Sequence, residues 1–373
     1  MLFRLRQPLY DIRLQLMKRL YICHTFYHSY IALLRELLGD ARGQATLLLS
    51  TMSNNFSGMK ERTEKSGIFR DVHYFEEQPP ESSPELMELK MDRGSQAANL
   101  LQRIRYTKKL ARLQEAHLPV RPKDYDEVYL FCDSDPIGYY LNYRRIPYHA
   151  CEDGLNTGKL ENLAMFTNRG AWGLKKLMAS LGLIHIENGY SRYCIDYIVN
   201  DISVNYLPPK NAVEYRVSEH WEQLSAEDHE LLARVFVEKL DTLRAELRAH
   251  KDKPSVMILT EPLCDYETRK RLFGDLIGEY GRDHHVILKP HPRDTVDYAG
   301  AFPDITILSG RFPMEVINDI PDLAVDKLVS VITQVDNIRF AKEVVYLGED
   351  FLDRYEDPSI HRKIPQDDKP ANT

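Results

Sequence analysis

Apolar and polar positions along this chain fall into blocks that predict strand, helix, strand, helix. Arg19 to His24 reads as a first strand, and Thr25 follows as an N-cap. Phe26 to Leu38 then repeats its apolar positions at helical spacing and stops at Gly39. Ala45 to Thr51 is a second strand and Val72 to Phe75 a weaker third. A polar, proline-containing link from Glu76 to Pro84 leads into one long helical pattern, roughly Glu85 to Ala116. Strands at Glu127–Cys132 and Ile146–Cys151 flank a short helix over Ile137–Arg145. This alternation predicts a doubly wound parallel sheet. From Leu155 to Pro209 the chain is aromatic and irregular, and no period stands out.

A second alternating set follows. Ser225-Ala226-Glu227-Asp228 has the form of a capping box and opens a helix expected to reach Ala249. Val256–Thr260 is a strand, Asp265–Tyr280 a helix that Gly281 ends, and His285–Lys289 a strand. Ile305–Leu308, Leu328–Ile332 and Val344–Leu347 complete the strands, with short helices near Pro313–Asn318 and from Val335. Two successive α/β units are therefore expected. Neither carries a G-x-G-x-x-G or Walker loop, which argues against a classical dinucleotide or P-loop enzyme.

Bulk properties refine this picture only a little. A length of 373 residues suits two domains, and the boundaries are placed at 1–18, 19–210 and 211–373. A net charge of −7 argues against wholesale nucleic-acid binding. Cys23, Cys132, Cys151, Cys194 and Cys264 are scattered without a C-x-x-C pair, so neither a zinc site nor a disulfide framework is indicated. Reduced cysteines suit the cytoplasm. No apolar run is long enough to cross a bilayer. Residues 1–18 place Leu2, Leu5, Leu9, Ile12 and Leu16 on one stripe among arginines, the pattern of a basic amphipathic extension. A second basic stretch runs from Arg103 to Arg112. Contact with an anionic membrane face and plain solvated helix faces are both open readings of these stretches.

Candidate chemistry gathers where strands end. His285 to Lys289 is a buried strand stopped by Pro290, and Pro292 stiffens the far side of His291. One imidazole thus sits on a rigid turn at a carboxyl edge, where open α/β sheets bind ligands. Lys289 and Arg293 flank it, and cations beside an imidazole suit a phosphate-bearing ligand. In the first unit, Glu152-Asp153-Gly154 ends a strand and offers a general base; the plain alternative is a β-turn. Asp133 and Asp135 are a weaker candidate of the same kind. Glu315 begins a helix and suits ribose hydroxyls, or a cap. Ser330 and Thr333 flank a strand end ahead of a helix start, where hydroxyls and N–H groups make an anion site.

Taken in order, these motifs resemble bacterial sialyltransferases of the GT-B fold, and most of all the lipooligosaccharide and capsule sialyltransferase family. The resemblance rests on Leu20–Thr25, Glu152-Asp153-Gly154, Ile258–Pro262, Lys289–Pro292, Phe312–Val316 and Ser330–Thr333, and it covers roughly Arg19 to Leu352. One difference is Val331-Ile332-Thr333-Gln334, where the family tends to have small hydroxyl residues. The resemblance implies two Rossmann-like domains facing a central cleft, an acceptor domain followed by a donor domain. It implies an inverting enzyme that moves sialic acid from CMP-sialic acid to a terminal sugar of a surface glycan, with no cofactor and no metal in the chemistry. Asp153 or Glu152 would be the base, and His291 would contact the departing CMP phosphate and act as its acid. Independently of the resemblance, an imidazolium with neighbouring cations stabilises the charge that grows on such a phosphate. Thr260, Lys289, Pro292, Glu315, Ser330 and Thr333 would hold the nucleotide. The expected partners are donor, glycan acceptor, an anionic inner membrane face and a second copy in a homodimer. The expected location is cytoplasmic, on the inner face of the plasma membrane. Competing readings are a glycosyltransferase using another nucleotide sugar and a non-catalytic glycan-assembly protein on the same scaffold.

Overall fold

The strands of this chain are short and apolar on both faces, and parallel sheets are what such strands build. The structure is a computed structural model that describes residues 17–40, 42–155, 172–205, 208–333, 335 and 338–361. Most of the basic extension, residues 1–16, lies outside them, as does Gln334. The chain divides into two units at Asp228 and His229.

The first unit holds β1 (Arg19–Cys23), α1 (Phe26–Leu38), β2 (Thr46–Ser50), α2 (Met59–Ser66), β3 (Asp71–Phe75), α3 (Pro84–Leu89) and α4 (Gln96–Glu115). It continues with β4 (Glu127–Phe131), α5 (Pro136–Arg144), β5 (Tyr148–Cys151), α6 (Trp172–Ser180), β6 (Cys194–Val199) and β7 (Ala212–Glu214). Its seven strands run in the order β3-β2-β1-β4-β5-β6-β7, all parallel. The winding direction reverses between β1 and β4, where Ile22 stands opposite Leu130. Leu20, Ile22, Leu48 and Leu130 are fully buried there. Truncating one of them, such as Leu130→Ala, costs about 2–5 kcal/mol in lost burial plus cavity. Because β7 pairs with β6, the first unit runs past residue 210.

Two expectations need correction. The long helix over Glu85–Ala116 is two helices. Asp92 accepts from the Gly94 N–H (2.8 Å), Gly94 turns at φ +74°, and Ser95 caps α4 through the Ala98 N–H. The helix from Ser225 also breaks, into α7 (Ala226–Phe236) and α8 (Leu240–Ala249). Arg244 on α8 is thereby placed to donate to both oxygens of Glu230 on α7 (3.0 and 2.6 Å).

The second unit continues with β8 (Ser255–Leu259), α9 (Tyr266–Tyr280), β9 (His285–Lys289), β10 (Thr306–Ile307), a 3₁₀ segment (Met314–Asp319), β11 (Val325–Ser330) and β12 (Ala341–Tyr346). Its sheet order is β10-β9-β8-β11-β12, again parallel, with its reversal between β8 and β11. Val256, Ile258, Leu288 and Val329 lie at the centre of its core. The helix expected near Pro313 is the 3₁₀ segment. The one expected from Val335 falls largely on 334, 336 and 337, outside the described residues. In both sheets the carboxyl ends beside the reversal are where ligands are expected.

Candidate active site

At the first of these edges the chain leaves β1 through His24 and enters α1. Thr25 Oγ accepts from the His28 N–H (3.1 Å), and His28 Nδ1 accepts from the Thr25 N–H (3.3 Å). This is a capping box with histidine in the place usually taken by Glu or Gln. His28 Nδ1 also accepts from the His24 N–H (3.0 Å). Two donors aimed at Nδ1 leave the proton on Nε2. Nε2–H then donates to the Asp153 carbonyl (2.7 Å) and carboxylate (3.0 Å). The His28 ring is buried and stacks on Phe131, so its aim is fixed.

Asp153 is thus held by one oxygen, while its side chain is 54% exposed. Partial burial pushes its carboxyl up, but the His28 hydrogen bond and the charge of His24 outweigh that and hold it below the usual range. It is ionised at neutral pH. Glu152 points the other way: it is buried, and its Oε1 accepts from the Asn200 N–H (2.8 Å) at the end of β6. The two neighbours diverge, as side chains at a strand end should.

Beneath Asp153 lies a buried pair absent from the sequence candidates. His24 Nδ1 faces the Phe131 carbonyl (3.0 Å) and Nε2 faces Glu77 Oε2 (2.7 Å). Both partners are acceptors, so both ring nitrogens carry protons. Burial works against that charge, yet Glu77 and then Asp135 push the imidazole up to about 9. Glu77 also accepts from Ser50 Oγ (2.7 Å) and the Ile137 N–H (2.7 Å). Asp135 stands at the start of α5 without a side-chain bond to its first turn, and its carboxylate lies 3.4 Å from His24. Asp133 is not a spare base. It is buried and accepts from Tyr148 Oη and the N–H groups of Asn188 and Gly189.

The second edge is built differently. The Thr260 hydroxyl accepts from the His291 N–H (3.2 Å) and donates to Asp294 (2.7 Å). Asp294 also takes Arg269 (2.7 Å) and the Tyr298 hydroxyl (2.8 Å). This buried hub fixes the turn from Pro290 through Pro292. His291 Nδ1 accepts from the Arg293 N–H (3.1 Å), which leaves Nε2–H as the donor toward any ligand. Burial, then the charges of Arg293 and Lys289, push His291 down to about 4. The expected imidazolium is therefore a neutral imidazole in the protein as it stands.

Two further expectations are corrected here. Lys289 is 3% exposed, and its ammonium donates to the carbonyls of Pro290 (2.8 Å) and Phe312 (2.9 Å) over the Phe312 ring. Burial, against the pull of Glu315, brings it down to about 7. It ties two loops together rather than standing open to a phosphate. The N–H groups of Ile332 and Thr333 are filled by the Glu261 carboxylate, with Ile332 at 3.1 Å. Burial raises the Glu261 carboxyl. Ser330 donates to the Thr333 carbonyl (2.9 Å). Glu315 is buried in the first turn of the 3₁₀ segment, and burial raises it too. Pro292 is half-buried beside His291. His24, His28, Glu77, Glu261 and Asp294 were missed from sequence. The i, i+4 spacing of His24 and His28 across a helix start was the available signal for two of them.

Comparison with known proteins decides the family. The model of glycosyltransferase family 52 matches residues 81–333, more than half of the chain. The chain belongs to glycosyltransferase family 52. Among curated proteins no sequence matches. Solved structures similar to this family 52 chain include a 2,6-sialyltransferase from a Photobacterium species, in complex with CMP and lactose. It is 11% identical over 88% of this chain and 71% of that one, with a TM-score of 0.55. A sialyltransferase from Photobacterium damsela is 11% identical over 88% of this chain and 74% of that one, TM-score 0.50. An α/β-galactoside α-2,3-sialyltransferase from Photobacterium phosphoreum is 10% identical over 88% and 90%, TM-score 0.50. The two parallel α/β units are of the GT-B type, and the family 52 chain is a glycosyltransferase. No helix among its described residues is long and apolar enough to cross a membrane.

Proposed function

We propose that this glycosyltransferase is an inverting sialyltransferase that uses CMP-sialic acid and acts on a terminal sugar of a surface glycan. The observation that carries this reading is an ionised, half-exposed Asp153 aimed by His28, together with a neutral His291 whose Nε2–H is left over as a donor. Asp153 takes the proton of an acceptor hydroxyl as the new bond forms at the anomeric carbon. The bond from that carbon to the CMP phosphate oxygen breaks on the opposite face, which inverts the centre. His291 Nε2–H hydrogen-bonds the phosphate oxygen as its charge grows, a contact stronger in the transition state than before it. Glu315 suits the ribose hydroxyls. No step is assigned to a metal or cofactor.

The family match supports this reading, as does the similar Photobacterium 2,6-sialyltransferase, which was solved with CMP and lactose. A donor built on another nucleotide is the second reading. Glu261 favours it, because amides already filled by a carboxylate are a poorer seat for a single phosphate. A thermal-shift panel of CMP, UDP, GDP and ADP separates the two. Greatest stabilisation by CMP, with CMP-sialic acid hydrolysed in the absence of acceptor, supports the first. A UDP-only response overturns it, and no hydrolysis with any donor points to a non-catalytic role. The setting that fits is the cytoplasmic face of a membrane, with Arg105, Lys108 and Arg112 on the exposed face of α4 toward anionic lipid. Salt-sensitive sedimentation with anionic vesicles tests that.

A further inference from the structure

The loop between β2 and α2 walls an open cavity of about 620 Å³ at the same carboxyl edge as Asp153. Ser53, Asn54, Asn55, Ser57, Glu61 and Tyr74 are among the residues that line it. The loop is pinned rather than loose. Phe56 is buried and its carbonyl accepts from Tyr74 Oη (3.1 Å), and Asn55 Oδ1 accepts from the Ser57 N–H (2.9 Å). Asn54 Nδ2 donates to the His24 carbonyl (3.0 Å). From there the contacts run His24 to His28 to Asp153. The cavity is therefore joined to the base through three residues.

Its lining specifies a ligand class. Hydroxyls, amides and one carboxylate can bond sugar hydroxyls in either direction. Tyr74, 37% exposed, offers an apolar ring. Two cations flank Glu61 in sequence: Lys60 is paired with Glu64, and the Arg62 guanidinium lies against Gly58. On the lining itself the one charged side chain is the Glu61 carboxylate, so the hydroxyls and amides suit a neutral sugar better than the donor phosphate or a sialic acid carboxylate. Distance specifies which sugar. Asp153 follows β5, and β2 stands three strands away, roughly 14 Å at the usual strand spacing. That is too far for the sugar whose hydroxyl meets Asp153, and it suits one further along the same glycan.

We propose that this cavity is a distal acceptor subsite, holding an inner neutral sugar of an oligosaccharide whose terminal hydroxyl is presented to Asp153. The proposal rests on the reading of Asp153 as the acceptor's base. The test uses the full chain, CMP-sialic acid, and two acceptors: lactose and a neutral tetrasaccharide with the same terminal galactose. The double variant Asn55→Ala, Glu61→Gln should raise KM for the tetrasaccharide roughly tenfold, the scale of one or two lost hydrogen bonds. It should leave kcat, and KM for lactose, unchanged. Tetrasaccharide binding to Asp153→Asn in the presence of CMP, read by saturation-transfer NMR, should weaken likewise when the double variant is added. An unchanged tetrasaccharide KM and unchanged binding overturn the subsite. An equal rise for both acceptors also overturns it, by placing these residues at the terminal sugar. The two readings fail separately. If Asp153→Asn stays active while the double variant discriminates by acceptor length, the base assignment falls and the subsite stands.

Discussion

Each unit places a histidine just beyond a strand, and the two histidines are driven in opposite directions. His24 follows β1 and is pushed up to about 9, because Glu77 and Asp135 outweigh its burial. His291 follows β9 and is pushed down to about 4, because burial is joined by Arg293 and Lys289. The residue type and the fold position match; the neighbours decide. The first edge holds a charged imidazole beneath the Asp153 carboxylate. The second keeps an uncharged donor. A histidine at a carboxyl edge is therefore a site signal whose chemistry is read from its surroundings.

The contrast gives a ranked set of expectations. Asp153→Asn should lower kcat by about 10²–10⁴-fold, the range for a positioned base, and leave CMP affinity unchanged. Glu152→Gln should instead lower stability with a smaller effect on rate, since it loses a buried bond to Asn200. Parallel assays of transfer and CMP binding check both, and the reverse pattern moves the base to Glu152. Next, Glu77→Ala should destabilise the protein by about 3–5 kcal/mol in denaturant unfolding, because it strands a buried imidazolium. Exposed Arg293, altered to Ala at the other edge, should stay within about 0.5 kcal/mol. Equal costs would erase the difference drawn between the edges. Then His291→Ala should reduce kcat roughly a hundredfold with little change in Tm. Lowered Tm at full activity would make it a structural residue.

The smallest effect is on pH. His24 binds its proton more tightly folded than unfolded, so its contribution is complete below about 6.5 and is lost as pH rises through about 9. His291 does the opposite, and its contribution is lost as pH falls from about 6.5 through about 4. The combined contribution of the two histidines should crest near pH 6.5, while Lys289, brought down to about 7, adds stability above that pH, so the slopes are read as differences between parent and variant. Glu77→Ala should remove the alkaline loss that belongs to His24, and His291→Ala the acid one.

Much of this was legible in the sequence. The order of strands and helices was readable because buried parallel strands are continuous apolar runs, and Pro290 and Gly154 marked the ends of two of them. The break at Asp92–Ser95 was hidden because Asp, Gly and Ser there sit inside an otherwise helical period. The aromatic middle concealed β6, where Asp196 interrupts the apolar run. At the sites, sequence named the chemistry-bearing residues but not their direction. Lys289 looked like a phosphate clamp, and only the packing of Phe312 shows that its charge is taken by carbonyls. Glu261 stood inside a motif already singled out, yet its partners lie 71 and 72 residues away. His28 and Glu77 depend on β4 and β5 arriving beside them, which no local window contains.

The capping box of α1 has a consequence for inactivation. The first turn of a helix is the part that melts earliest, because it gives up few contacts when it opens. In this protein the ring that closes that turn is the ring that aims Asp153. Fraying of that turn and misalignment of the Asp153 carboxylate are the same event. Warming should therefore silence transfer while both sheets are still intact, and recovery on cooling should be as fast as a helix end can rewind.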